Sequence, residues 1–145
     1  MMLRKLAAVT ICLVLAGCLG TEYQPEGLTG GYTDEMTGPN TATVEFKGNG
    51  FTKSSVAKKF SMRRAAELTL QKGFDYFLIE GSENLTKQVK MASNIQCNTI
   101  GYSTTCNDYG GGTMEKPGSS LNIRMFKGKA PNKTGYYDAR FLISQ

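Results

Sequence analysis

Apolar residues change their spacing several times along the chain, and each change marks a candidate element. Leu6 to Leu15 is an apolar run broken only by Thr10, preceded by Arg4 and Lys5 and followed by Ala16 and Gly17. The run is too short to cross a bilayer as a helix. Its positive flank, apolar centre and small terminal residues have the anatomy of a secretory signal over residues 1–17. Thr41 to Lys47 reads as a strand, because Thr43, Val44 and Phe46 favour the extended state. Gly48-Asn49-Gly50 breaks it as a tight turn, with glycines expected at positive φ. Thr52 is the expected N-cap of a helix from about Lys53 to Lys72, stopped by Gly73. Ala65, Ala66, Glu67 and Leu68 are strong helix formers within it. Phe74 to Glu80 is nearly continuous in apolar and aromatic residues, which suggests a strand buried on both faces.

From Gly81 to Gly118 the pattern weakens, although Val89 to Ile95 suits an extended segment. Ser119 to Lys127 alternates clearly: Leu121, Ile123 and Met125 point one way, and Asn122, Arg124 and Phe126 the other. Gly128 to Gly135 is a turn region. Tyr136 to Ser144 fits a short final helix or an edge strand, with the helix favoured. This order predicts an α+β domain over residues 41–145, one long helix packed on a small, mostly antiparallel sheet, with a disulfide-tied excursion. Residues 18–40 are rich in Gly, Thr and Pro and are expected to be a flexible tether. Packing on the domain would begin at Gly30 to Asp34, through Tyr32.

Leu15-Ala16-Gly17-Cys18 resembles the lipobox of bacterial lipoproteins. The resemblance implies that the Cys18 thiol takes a diacylglyceryl group, that cleavage precedes Cys18, and that its new amine receives a fatty acid such as palmitate. Two or more chains hold a protein firmly on a membrane, since each buried CH₂ contributes about 0.8 kcal/mol. A second resemblance runs through Gly31-Tyr32-Thr33-Asp34, Gly48-Asn49-Gly50-Phe51-Thr52, Arg64-Ala65-Ala66-Glu67-Leu68-Thr69 and Gly73-Phe74-Asp75-Tyr76-Phe77. It is similar to a family of small proteobacterial lipoproteins of unassigned activity. The family implies a lipoprotein with one compact domain and supplies no catalytic residues. In such lipoproteins Leu19 after the lipidated Cys implies release to the outer membrane, facing the periplasm.

The four cysteines then divide. Cys12 leaves with the signal, Cys18 is lipidated, and Cys97 and Cys106 remain to pair in an oxidising compartment. A two-residue turn at Gly101-Tyr102, with Gly suited to type II′, would place Cys97 opposite Cys106 and Thr99 opposite Thr104 in a hairpin. Loss of Arg4 and Lys5 takes the formal charge from +5 to +3. That mild balance suits an envelope protein near anionic lipid or polymer and does not call for nucleic acid.

Catalytic candidates are few. The chain has no His, which removes the commonest general base and metal ligand. Neither the dinucleotide nor the phosphate-loop pattern fits around Gly48 to Ser54. Asn107, Asp108 and Glu115 beside Gly110 to Gly112 read as a flexible loop, without the ligand spacing of a calcium site. Arg63, Arg64 and Glu67 read as a structural ion pair on the helix margin, with Arg63 and Glu67 placed by the helical wheel beside Val56 and Phe60. The other basic residues of the helix, Lys53, Lys58 and Lys59, read as a solvated face, or as a contact for acidic envelope polymer. No metal or cofactor is expected. The functional expectation is a membrane-anchored, non-enzymatic module for a partner protein or envelope component. The alternative is an enzyme acting on envelope glycan or peptide.

Overall fold

The computed structural model of the protein describes residues 20–145. The expected signal segment 1–17 and the expected lipidation site Cys18 lie outside them. Eleven elements follow in order: β1 (Gly31–Met36), β2 (Thr41–Lys47), α1 (Ser54–Gln71), β3 (Tyr76–Asn84), β4 (Lys87–Lys90), β5 (Ser93–Ile100), β6 (Ser103–Gly110), β7 (Thr113–Lys116), β8 (Gly118–Phe126), β9 (Tyr136–Asp138) and α2 (Ala139–Ile143). The α+β expectation is corrected: the described residues are mostly β, 48% strand against 18% helix, with one helix longer than two turns among them. The excess strand comes from two regions with little apolar alternation, residues 31–36 and 87–116.

The body is one five-stranded antiparallel sheet in the order β1-β2-β8-β3-β9. Its inner face is built by alternation. Ala42, Val44 and Phe46 of β2, Phe77 of β3, and Leu121, Ile123 and Met125 of β8 are buried beneath α1. The outer face carries polar pairs, including Thr43 donating to Asn122 at 2.8 Å and Arg124 donating to Glu80 at 2.6 Å. Phe74 to Glu80 is therefore not buried on both faces; only Phe77 within it is fully buried. Tyr76 stacks on Phe126 at 5.3 Å on the open side.

The helix meets the sheet through small residues. Ala57, Ser61, Ala65, Ala66, Leu68 and Thr69 are its buried positions. Small side chains let its backbone approach closely, and the two hydroxyls among them are satisfied locally: Thr69 donates to the Ala65 carbonyl and Ser61 to that of Lys58. Gly73, at φ 81°, closes the helix. The Phe74 N–H reaches Thr69 O and the Gly73 N–H reaches Leu70 O, both at 2.9 Å, which satisfies two terminal carbonyls. The segment Tyr136 to Ser144 is both things expected of it in turn, a three-residue edge strand and then a short helix capped by Asp138, which accepts from the Phe141 N–H.

Thr52 does not cap α1. Lys53 holds the N-cap position and makes no side-chain cap bond. Nor do Gly48 and Gly50 adopt positive φ. They are needed for close approach: a Cβ at Gly48 would stand 2.6 Å from the Thr52 Cβ, and one at Gly50 only 1.9 Å from the Met114 sulfur. Gly48 is crowded by Thr52 within the same turn and Gly50 by Met114 from far along the chain, so positive φ is the wrong reason for both glycines.

The expected tether is also corrected over residues 20–40. Thr21 is buried, 5% exposed. Its N–H donates to Thr52 Oγ1 at 2.8 Å, and its hydroxyl accepts from the Asn49 N–H, also at 2.8 Å. Gly31 to Met36 pairs along the whole of β2 as an edge strand. Unpaired β2 edge groups would otherwise face solvent, and this strand satisfies them.

Candidate functional site

Beyond Ile79 β3 stays paired with β8, which β2 still flanks as far as Gly118, and past Asn84 and Gly118 the two chains run out of the sheet together. Glu80 is a bulge, with Ile79 opposite Ile123 and Gly81 opposite Asn122. From there the register never slips. Asn84 faces Ser119, Lys87 faces Lys116, Lys90 faces Thr113, Ser93 faces Gly110 and Ile100 faces Ser103. The ladders β4–β7 and β5–β6 are thus successive parts of one ribbon, interrupted near Pro117 and at Gly111-Gly112. At about 3.3 Å per residue, the arm from Leu85 to Ile100 has a contour of about 50 Å.

The turn at its end is Gly101-Tyr102, with Gly101 at φ 64° and Tyr102 not at positive φ, which fits a type II′ turn. Cys97 and Cys106 are directly opposite, their Cα atoms 4.0 Å apart, and form a disulfide. Thr99 and Thr104 lie on the same side with hydroxyls 2.9 Å apart. Every residue of β5 and β6 is exposed. A two-stranded ribbon with no core beneath it is marginally stable in water, so the disulfide supplies constraint that packing does not. Ile95, Ile100, Tyr102 and Tyr109 are exposed large side chains on it, and Asp108 is its one charge between Met91 and Gly112. Asn107 and Asp108 belong to β6 and Glu115 to β7, so they form no loop of ligands.

Arg63, Arg64 and Glu67 come together, but in another arrangement than the helical wheel gives. Arg63 is exposed; the Arg64 side chain is the buried one, at 12% exposure. Glu67 accepts from Arg63 Nε at 3.0 Å and lies 3.6 Å from Arg64. It also accepts a short hydrogen bond from the Tyr23 hydroxyl. Arg64 donates to Asp34 on β1 at 2.6 Å. The two guanidinium groups lie over Tyr23 and Tyr32 at 4.3 and 4.7 Å from the ring centroids. Burial, and then the bond to Glu67, push the Tyr23 phenol well above the usual tyrosine range. This cluster clasps residues 21–36 to the helix. Sequence reasoning missed Thr21, Tyr23 and Asp34 because their partners Asn49, Thr52, Glu67 and Arg64 lie 28 to 44 residues away.

Between the turn at Glu26 to Gly30 and the root of the arm lies a cleft of about 670 Å³, lined by Leu28, Lys47, Val89, Lys87 and Lys116 among others. Lys47 is paired with Glu26 at 3.1 Å and Glu45 at 3.6 Å. Among the described residues, no carboxylate lies within ion-pair distance of Lys87 or Lys116, although the two stand directly opposite each other. No group of three or more His, Cys, Asp or Glu among the described residues could hold a metal ion.

The class that fold and site define is a small, mostly β domain with one covering helix and a projecting, disulfide-tied β-arm. No family model, no curated protein and no solved structure matches the chain.

Proposed function

We propose that this chain is a lipid-anchored cell-envelope protein, held through Cys18, whose arm is a non-enzymatic binding element for a partner protein or envelope component. The observation that carries the reading is the arm itself. Eight paired residues on each strand are exposed on both faces, hold Ile95, Ile100 and Tyr109 in water, and end in the exposed Tyr102. Exposed aromatic and aliphatic side chains on a braced strand pair are the groups that anchor interfaces when a partner covers them. A disulfide at the centre of the arm suits the oxidising compartment to which the signal-like residues 1–17 and the lipobox-like Leu15 to Cys18 point. The resemblance to small proteobacterial lipoproteins supports the same address, at the outer membrane facing the periplasm. No helix among the described residues is long and apolar enough to cross a membrane, so on this reading the acyl chains supply the attachment.

The test is photocrosslinking in intact cells from positions 100 and 102, with Lys133, exposed on a loop of the body, as the control. Discrete adducts from the two arm positions and none from the control are expected. Equal labelling from all three would refute the arm as the binding element.

A further inference from the structure

We infer that the face around Gly20 and Thr21 rests directly on an anionic lipid bilayer, with Leu28 and Phe51 entering the interfacial layer and Lys87 and Lys116 meeting lipid phosphates. This rests on the reading of Cys18 as the lipidated residue. Two residues of advance separate Cys18 from Gly20, and an extended chain spans at most about 3.6 Å per residue, so the acylated residue lies within about 7 Å of the body. No slack is stored beyond that point. A Cβ on Gly20 would stand 3.1 Å from the Phe51 carbonyl oxygen. Thr21 is fixed to Thr52, Asn49 and Thr29, and Tyr23 to Glu67. The acyl chains therefore hold the protein by its body, and the bilayer is the first surface that this face meets.

The side chains there suit that occupant. Leu28 is fully exposed and Phe51 is 57% exposed. Each stands in one of the loops that clasp Gly20-Thr21: Thr29, beside Leu28, accepts from the Thr21 hydroxyl, and Asn49 and Thr52 flank Phe51. Large apolar groups beside a lipid anchor add buried area when they enter the interface. Lys87 and Lys116 sit opposite each other on the cleft that Leu28 also lines. Like charges directly opposed across a ribbon destabilise it. A lipid phosphate between them turns that repulsion into attraction. The root of the arm is held at this same corner, where the Gly48 N–H donates to the Pro117 carbonyl at 2.7 Å. A protein occupant would have to share this face with a membrane no more than about 7 Å away.

The chain contains no Trp, so Phe51→Trp and Phe141→Trp each introduce a single indole. Phe141 is exposed on α2, beside the end of β3 remote from the arm. The full-length lipidated proteins are reconstituted into vesicles of phosphatidylcholine and phosphatidylglycerol with brominated acyl chains, which quench nearby indoles. Both variants are expected to float with the vesicles, with strong quenching at position 51 alone. Failure to float would overturn the anchor and the footprint together. Flotation with equal quenching at the two positions would overturn the footprint and leave the anchor standing. Adding Lys87→Gln and Lys116→Gln to Phe51→Trp should lower quenching on anionic vesicles only, with each lysine contributing about fivefold to the docked population. Unchanged quenching in that variant would overturn the phosphate contact.

Discussion

The Tyr23 hydroxyl donates a short hydrogen bond to Glu67 across 44 residues of sequence, and that bond ties the N-terminal segment to the long helix. Glu67 is also the acceptor for Arg63 and a neighbour of Arg64. Removing its carboxylate leaves a half-buried phenol and a mostly buried guanidinium short of partners. Glu67→Ala is expected to cost about 1–3 kcal/mol. Lys58→Ala, at an exposed position on the same helix, should cost less than about 0.5 kcal/mol. Thermal melts of the two variants check this; equal midpoints would show that Glu67 carries nothing.

The same phenol gives a pH prediction. Burial and Glu67 raise the Tyr23 pKa in the folded chain above its ordinary value of 10.0. A group whose pKa is raised on folding contributes stability that is complete below the unfolded value and is lost as pH climbs towards the folded one. The domain should therefore begin to lose stability above about pH 10. Ultraviolet titration should show a late-ionising tyrosine, absent from Tyr23→Phe. A Tyr23→Phe titration identical to that of the parent would exclude the effect.

Reduction of Cys97–Cys106 should loosen the arm and spare the body. The bond closes a loop of about ten residues, worth roughly 2.7 kcal/mol in the chain-entropy model. All of β5 and β6 is exposed, so no core contact is lost with it. Hydrogen exchange is expected to accelerate at residues 93–110 in the Cys97→Ser, Cys106→Ser protein, with β2 and β8 unchanged. Faster exchange throughout the sheet would mean that arm and body unfold as one unit.

Gly30 and Gly128 have similar positive φ, 99° and 95°, and opposite surroundings. A Cβ at Gly30 would stand 2.2 Å from the Lys47 carbonyl oxygen, whereas one at Gly128 meets nothing within 4 Å. Gly128→Ala should cost about 1–2 kcal/mol, the backbone term alone. Gly30→Ala should cost clearly more, because the edge pairing of β1 must shift as well. Denaturant midpoints of the two variants give the comparison, and equal losses would show that the contact relaxes freely.

Anchoring is tested at Cys18. Cys18→Ser is expected to abolish incorporation of a fatty-acid analogue and to leave an uncleaved or soluble product. Label retained on the serine variant would exclude Cys18 as the acylated residue.

Much of the local structure could be read from sequence because its causes are local. The strand at Thr41–Lys47 coincides with its run of residues that favour the extended state, α1 ends before Gly73 as the glycine requires, and the hairpin register follows from two turn residues and two cysteines. Extending that register outward from Gly101-Tyr102 would have found the whole arm. The pattern there failed because a ribbon exposed on both faces has no buried side to make hydrophobic residues alternate.

Tertiary structure alone decided the rest. The core-facing row of α1 is Ala, Ser and Thr as much as Leu, so hydrophobicity along the helix could not show which side meets the sheet. Gly48, Gly50 and Thr52 have the composition of a turn and a cap. Thr52 accepts from Thr21 and Gly50 makes room for Met114, both far away in sequence, while Gly48 makes room for Thr52 itself. The Gly- and Thr-rich segment before residue 41 lacks the apolar content of a core, and it is ordered because β2 presents an open edge and α1 presents Glu67 and Arg64. Sequence by itself determined the elements whose signals lie within one turn or one strand. Pairings across 30 or more residues gain their energy only after the chain has closed those loops, so no local pattern records them.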